Sequence, residues 1–504
     1  MPSQHSKMAN LFRRALPVHT AIGLWAGALL YILCLTGMLI VFDEEWQRWE
    51  QPDVPEMTAI APAAVQQAAV NVLAAEAELE KRTTHLFVHL PSGALPRTIV
   101  TTDTQAFHVD GAGRIHGPET NSWTQFLLDA HYYFHLPSFI GLTLVGGLGV
   151  MMVALAISGI LAHPRIFRDA FRLRARAGDR LALTDWHNRL SVWTLPFGIA
   201  AALTGALLGL ASIMAVGMAE TFHGGDTEAV FAPIFGEEPA ADPAPAALPD
   251  LAGMMEDMAA RHPDIRTSYV ILHDPATAGQ HVQLLGHPPR RLIFGEYYGY
   301  DGAGNFTGTA GMADGTVGQQ VSASIYNLHF GNFGGLPVKL AYILLGLSLT
   351  IVSGSGMSIW LAKRRQKGLP TARLAGFWSA IVWGTPLMLA LTAAARLVVG
   401  GGTAFAALFW AGMTALIIAG ILMKRPRQMT RYLQCALAVT LFAVGAGHAI
   451  WISLTMSANP AGMPLWLDIA IVIIGLIIWW FSLRPRANFG SHPVPGAVSA
   501  QSPS

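Results

Sequence analysis

The sequence predicts a mainly α-helical, polytopic membrane protein with about eight transmembrane helices. Of its 504 residues, 52% are hydrophobic and only 12% charged, and apolar runs of 18 or more residues recur along the chain. The third observation is repetition. Residues 19–37, HTAIGLWAGALLYILCLTG, and residues 187–205, HNRLSVWTLPFGIAAALTG, have one length and agree at His, Trp, Leu, Thr and Gly. The net charge of +1 says nothing about partners; the lipid bilayer is expected as one, and nucleic acid is not. Cys34 and Cys435 lie far apart in apolar segments, which excludes a disulfide framework and a Cys-x-x-Cys-His haem attachment.

The spans fall at about 17–42, 139–163, 189–219, 335–362, 374–396, 403–423, 431–455 and 465–483. The first run is too long for a signal-peptide core and lacks a small-x-small cleavage site before Asp43, so it counts as a span. Lys and Arg gather in the tail 1–16 (Lys7, Arg13, Arg14), the loop 164–188, the KRRQKG segment from Lys363, the KRPRQ segment from Lys424, and the tail 484–504 (Arg484, Arg486). Positive-inside weighting puts both termini in the cytoplasm and segments 43–138 and 220–334 outside. The Arg-rich loop holds topology and touches anionic lipid, with docking of a soluble donor as the alternative.

The two outer segments repeat each other. AAVQQAAVNVLAAEAELEK reads as a helix, followed by strand-like HLFVHL, RTIVTT and AFHV and the turn VDGAGRI. LPDLAGMMEDMAARHP reads likewise, followed by TSYVILH, QHVQLLG, RLIFGEYYGY and the turn YDGAGNF. DGAG in matched places, 110–113 and 301–304, marks a duplication: span, outer domain, span, made twice, with four spans appended. The Pro-, Ala- and acid-rich stretch from Gly236 is a solvated linker.

Histidines occupy matched places in this repeat. His19 and His187 open spans one and three at the cytoplasmic side; His131 and His329 precede spans two and four at the outer side. Eighteen residues are five helical turns, so Gly37 shares a face with His19, and Gly205 with His187. A histidine at a helix end is commonly an interfacial residue, but four at equivalent places suggest ligands. Imidazole suits several metals. Two facing imidazoles in an apolar, glycine-lined slot suit the axial positions of a b-type haem better than a closed tetrahedral site, which wants four ligands. His135, His163, His223 and His448 stand as alternatives; His448 falls near Arg396 and Asp468, as a polar cluster, a quinone site or interfacial anchors would. His85 and His89 share a strand face but lack a third ligand, and read as surface histidines. EYYGY at 296–300 reads as core, with stacking against a planar chelate as the alternative.

Four stretches resemble the PepSY-associated transmembrane-helix family, iron-regulated inner-membrane proteins that include siderophore-linked ferric reductases. They are LPVHTAIGLWAGALLYILCLTGMLIVFDEEW, LLDAHYYFHLPSFIGLTLVGGLGVMMVALAISGILAHPR, DWHNRLSVWTLPFGIAAALTG and LHFGNFGGLPVKLAYILLGLSLTIVSGSGMSIWLAKRR. The likeness covers the first four spans and both outer segments, which resemble PepSY domains. It implies an internally duplicated four-helix core with two small α+β periplasmic PepSY-like lobes, in a bacterial inner membrane. It also implies two b-type haems with His19, His131, His187 and His329 as axial ligands. The expected activity is electron transfer from a cytoplasmic or quinol donor to a ferric siderophore or other periplasmic ferric chelate, releasing Fe(II). The alternative is a haem-free, membrane-anchored PepSY binding or inhibitory module, or a transporter component. No Rossmann fingerprint or P-loop is present, so neither a built-in nicotinamide site nor nucleotide-driven pumping is expected.

Overall fold

The computed structural model describes residues 4–79, 82–163, 165–169, 171, 179–236, 239–289, 291–423, 425–455 and 465–484. Much of the expected basic loop (172–178), Lys424, Arg486 and the tail after 484 lie outside the described residues, as do the side chains of Lys7 and Arg13.

The chain begins with α1 (Gln4–Leu39), which passes through one 3-10 turn into α2 (Asp43–Glu50). Three acids, Asp43, Glu44 and Glu45, occupy the first turn of α2, where the helix dipole favours them. Then come α3 (Pro62–Glu76), β1 (His85–His89), β2 (Thr98–Thr102), β3 (Ala106–Val109), β4 (Ile115–Pro118), α4 (Ser122–Tyr132) and α5 (Ser138–Ala162). Next in the chain are α6 (Ile166–Asp169), α7 (Asp179–Trp193), α8 (Leu195–Gly209), α9 (Ala211–Phe222) and α10 (Glu228–Phe235). A second extramembrane stretch supplies α11 (Leu251–Arg261), β5 (Arg266–His273), β6 (His281–His287), β7 (Glu296–Asp301), β8 (Phe306–Thr309) and α12 (Val317–Phe330), leading into α13 (Gly335–Gln366). Five helices close the chain: α14 (Ala372–Ser379), α15 (Thr385–Val398), α16 (Phe405–Leu422), α17 (Pro426–Thr455) and α18 (Leu465–Leu483).

Among the described residues, 7 helical stretches are long and apolar enough to cross a membrane. An eighth is a broken one. The expected continuous third span, 189–219, is instead α7 and α8 meeting at 67°, with α9 beyond a further break. Pro196 in the first turn of α8 explains the bend: it has no N–H to give, and its ring would strike the carbonyl four residues back. Pro386 acts more gently. The preceding turn, Ala380–Gly384, widens to a π-helix, and the Val382 carbonyl that Pro386 frees accepts the Tyr31 hydroxyl at 2.7 Å.

The two outer segments do not form separate lobes. They share one eight-stranded antiparallel sheet, ordered β4-β3-β2-β1-β5-β6-β7-β8, in which β1 and β5 join two four-stranded meanders. Left apart, each meander would expose its first strand as an edge; pairing them removes both edges. One face carries Leu86, Val88, Val270, Leu272, Val282, Leu284, Tyr298 and Tyr300 into a shared core beneath α3 and α11. The other bears a row of register partners, His85, His273, His281 and Asp301, and a second row, His89, Tyr269, Leu285 and Tyr297. EYYGY is thus mainly core through Tyr298 and Tyr300. The two DGAG turns are alike: Asp110 accepts from the Ala112 and Arg114 amides, Asp301 from those of Ala303 and Asn305. Each ends on a left-handed glycine, Gly113 (φ 76°) and Gly304 (φ 89°), and a side chain at Gly113 would run into the α3 backbone.

Helices α1, α5, α7, α8 and α13 pack as one bundle, and the C-terminal helices pack on α1, α2 and α4. The seam is polar at one point. His448 on α17 and Asp468 on α18 form a pair at 2.9 Å with side chains 2% and 3% exposed. Trp49 Nε1 donates to Asp468 at 2.8 Å, and His448 Nε2 donates to the Trp49 carbonyl at 3.0 Å. A carbonyl and a carboxylate only accept, so the ring and the carboxyl together hold one shared proton as a net-neutral unit, satisfied without water. Asp468→Ala, which leaves the Trp49 indole N–H and His448 Nδ1 without their partner, is expected to cost about 1–3 kcal/mol for each unsatisfied group, measured as a lowered melting temperature in detergent. Burial presses His89, His108 and His273 in the sheet down to a pKa of about 4. A histidine depressed in the folded state stays neutral above its unfolded value near 6.5 and withdraws stability as pH falls toward 4. Melting followed from pH 7 to 4.5 should therefore show the sheet weakening on acidification, less so in His273→Phe.

Candidate functional site: two histidine pairs

The four histidines stand in two pairs inside the helix bundle. His19 on α1 faces His187 on α7 with ring centroids 6.4 Å apart, near the ends of α5 and α13 remote from the sheet. His131 on α4 faces His329 on α12 at 6.2 Å, at the sheet end. Along α1 the two levels are separated by about 16 residues, roughly 24 Å at 1.5 Å per residue.

Every one of these rings is held the same way. His19 Nδ1 meets the Leu155 carbonyl at 3.1 Å and Ser158 Oγ at 3.3 Å; His131 Nδ1 meets the Leu33 carbonyl at 3.0 Å and Thr36 Oγ1 at 3.4 Å. His187 Nδ1 lies 2.9 Å from Ser355 Oγ beside the Val352 carbonyl, and His329 Nδ1 lies 2.9 Å from Thr204 Oγ1 beside the Ala201 carbonyl. The hydroxyls spend their own protons on helix carbonyls, as in Ser355 to Val352 and Thr204 to Ala200, so they accept here. Each Nδ1 therefore carries the proton, and each Nε2 keeps its lone pair. Among the described contacts none of the four Nε2 atoms has a hydrogen-bond partner.

A glycine completes each cradle, one residue after the hydroxyl. A Cβ on Gly37 would stand 2.6 Å from His131 Cε1, one on Gly205 2.8 Å from His329 Cε1, one on Gly159 3.3 Å from His19 Cε1 and one on Gly356 3.7 Å from His187 Cε1. The expectation that Gly205 shares a helix face with His187 is thus corrected, whereas Gly37 and His19 both lie on the unbroken α1. Each Thr-Gly receives the histidine of the opposite end, and the 67° bend takes Gly205 out of line with His187. The repeating signal is a carbonyl, a Ser or Thr three residues on, then Gly. Thr36-Gly37 and Thr204-Gly205 are two of its copies; Ser158-Gly159 and Ser355-Gly356 are the two that sequence reasoning missed.

The alternatives are otherwise engaged. His135 accepts from Trp410 Nε1 at 3.1 Å through Nδ1 and donates from Nε2 to the Phe126 carbonyl at 3.0 Å, which uses its lone pair. His163 is the C-cap of α5 and His223 the exposed C-cap of α9. His448 has both nitrogens occupied, and Arg396 pairs with Glu50 at 2.7 Å instead of joining it.

The sheet-end pair opens on a cavity of about 410 Å³ lined by His131, His329, Tyr132, Tyr326, Phe330 and further apolar side chains. Among the described residues no group of three or more His, Cys, Asp or Glu is placed to hold a metal ion. What the chain offers at each level is a pair of imidazoles, with a cavity beside the pair at the sheet end. With metal–nitrogen bonds of about 2.0 Å, two trans imidazoles bring their ring centres to roughly 6 Å, the spacing of both pairs.

Residues 16–363 match the family described as PepSY-associated TM region. An uncharacterized protein of Pseudomonas aeruginosa is 28% identical over 400 residues, a match spanning 73% of this chain and 97% of that relative. The matched stretch contains all four histidines and all four cradles and ends before α14, so the chain belongs to the PepSY-associated TM region family and carries its last five helices beyond the family's extent.

Proposed function

We propose that the protein is an inner-membrane b-type haem protein that carries electrons across the bilayer to a periplasmic ferric chelate, such as a ferric siderophore, and so releases Fe(II). The observation that supports it is the two imidazole pairs. His19 with His187, and His131 with His329, would hold a group that takes one imidazole from each side, and a haem, which brings its other iron ligands with it, is the group that fits a two-histidine set best. Bound there, an iron porphyrin supplies a one-electron carrier. The chain's part is orientation: the Nδ1 anchors fix tautomer and ring direction and raise the basicity of Nε2. The glycines leave room for the imidazole rings themselves to seat against the helices, and the apolar helices keep water away.

The proposed direction follows the charges. Lys363, Arg364 and Arg365 close α13 at the end where His19 and His187 lie, and the positive-inside tendency supports a cytoplasmic side for that end and a periplasmic side for the sheet. A cytoplasmic or quinol donor delivers electrons at His19 and His187; they leave past His131 and His329. One electron per ferric ion gives Fe(II), a less charged and softer partner for hard oxygen donors, and the chelate loosens. On this reading the two meanders of the sheet are PepSY-type repeats from an internal duplication that also produced the two histidine pairs. A haem-free binding module would leave four imidazoles, each anchored through Nδ1, without a purpose.

Purified after expression with ample haem, the protein should show reduced-minus-oxidised bands for two low-spin b-type haems per chain. His131→Ala or His329→Ala should delete one component and spare the other; a colourless wild type would sink the reading. The ring planes differ, at 80° for His19 and His187 and 31° for His131 and His329. Crossed imidazole planes keep two iron d orbitals nearly degenerate, whereas aligned ones split them. Electron paramagnetic resonance of the oxidised protein should accordingly give one highly anisotropic low-spin signal, lost in His19→Ala, and one rhombic signal, lost in His329→Ala.

A further inference from the structure

We infer that the helices beyond the family's extent serve as a clamp on α4 and thereby position His131. The clamp stands on its own contacts; its effect on a bound haem rests on the function proposed above. Asn121, the N-cap of α4, makes no side-chain capping bond. Glu50 does that work from outside: its carboxylate accepts from the Trp123 and Thr124 amides, both at 2.8 Å, and from Thr124 Oγ1 at 2.9 Å. That carboxylate is fully buried, and Arg396 of α15 neutralises it, donating from Nε to Oε1 at 2.7 Å and from Nη2 to the Glu50 carbonyl at 3.0 Å. Two more bonds fix the same turn. Trp123 Nε1 donates to Thr392 Oγ1 at 3.1 Å, and Ser122 Oγ to the Gly401 carbonyl at 2.9 Å.

The other end of α4 is held by α16. After Tyr132 the chain reverses through Phe134 and His135, both left-handed at φ 52° and 59°, a conformation that non-glycine residues keep only when neighbours enforce it. Trp410 enforces it through its bond to His135, and Phe405 and Phe409 pack on Phe126. His131 lies between these two anchors. Its partner helix α12 is fastened differently, from its own segment: a capping box of Thr316 and Gln319, Gln319 Nε2 to the Pro233 carbonyl at 3.0 Å, and Asn327 Nδ2 to the Ile293 carbonyl at 2.9 Å. Of the two sheet-end ligands, one answers to the added helices and the other does not.

The test uses the full-length protein with Trp410→Phe, which removes one hydrogen bond and keeps an aromatic ring, and Arg396→Gln, which strips Glu50 of its counter-charge. Amide hydrogen exchange is the haem-independent readout. Both variants should exchange faster over residues 122–135 and at the wild-type rate over 317–330. Haem release to excess apomyoglobin is the second readout: the sheet-end component should leave roughly tenfold faster, the size usual for loss of an outer-shell partner, while the component held by His19 and His187 stays. Unchanged exchange in α4, or an equal rise in α12, overturns the clamp. A haem-free wild type would instead overturn the proposed function, and exchange would still decide the clamp.

Discussion

The arrangement depends on one hydrogen-bond geometry, an imidazole Nδ1–H received by a transmembrane helix at a carbonyl and the hydroxyl three residues on. Most helix carbonyls already accept one backbone proton and keep a spare lone pair; in an apolar bundle that lone pair is the cheapest partner a buried imidazole can find. The hydroxyl, tied back to its own helix, can only accept. Both choices force the proton onto Nδ1 and leave the opposite nitrogen as a base. Helix approach follows, because the ring reaches the carbonyl only where the next residue toward it lacks a side chain. Glycine at the fourth position is what the hydrogen bond favours, most strictly at Gly37 and Gly205, and the α1–α5, α1–α4, α7–α13 and α8–α12 contacts carry the four cradles.

Placing two such rings opposite each other is a separate problem, solved differently at the two ends. Remote from the sheet, His19 and His187 sit on helices of the bundle itself, and the bend at Pro196 lets α7 bring its ring inward while α8 continues elsewhere. At the sheet end the rings ride on α4 and α12, short helices that follow the last strand of each meander. Their separation is thus tied to the span of the joined sheet. Pairing β1 with β5 makes that sheet one body, and Lys339, bonded to Glu45 at 2.8 Å and Glu44 at 3.3 Å, fastens the start of α13 to α2 beneath it.

Much of this was legible in the sequence. Hydropathy alone located the apolar runs, the repeat of His with Thr-Gly at fixed spacing singled out His19 and His187, and matched places in the duplicated segments singled out His131 and His329 before any geometry was known. Partnership was not legible. Helical periodicity puts Gly37 under His19 within one helix, but which ring fills the space beside a glycine is decided by neighbouring helices. Ser158-Gly159 and Ser355-Gly356 went unnoticed because serine and glycine are common in packed spans and no histidine lies at the matching offset. The single sheet was hidden for the same reason: β1 and β5 lie far apart in sequence, and strand alternation says which face is apolar without saying which strand lies alongside. Proline at 196 and 386 was visible, yet one stands at a bent span and the other follows a widened turn whose freed carbonyl is taken by Tyr31.

The two ends also differ in how much freedom their rings retain, and this bears on direction if electrons pass between them. At the sheet end the glycine cradles are tight, with 2.6 and 2.8 Å to an added Cβ; at the other they relax to 3.3 and 3.7 Å. A closely enclosed ring has less room to turn, and His131 is in addition carried on the clamped α4, so on the proposed reading the dipoles around the sheet-end pair are the more nearly fixed in advance. A looser ring on a bundle helix can adjust. On the proposed reading, the site facing a variable external acceptor is the rigid one, because fixed dipoles hold a constant potential whatever docks outside. The site facing the internal donor can tolerate compliance, since its partner is the same at every turnover.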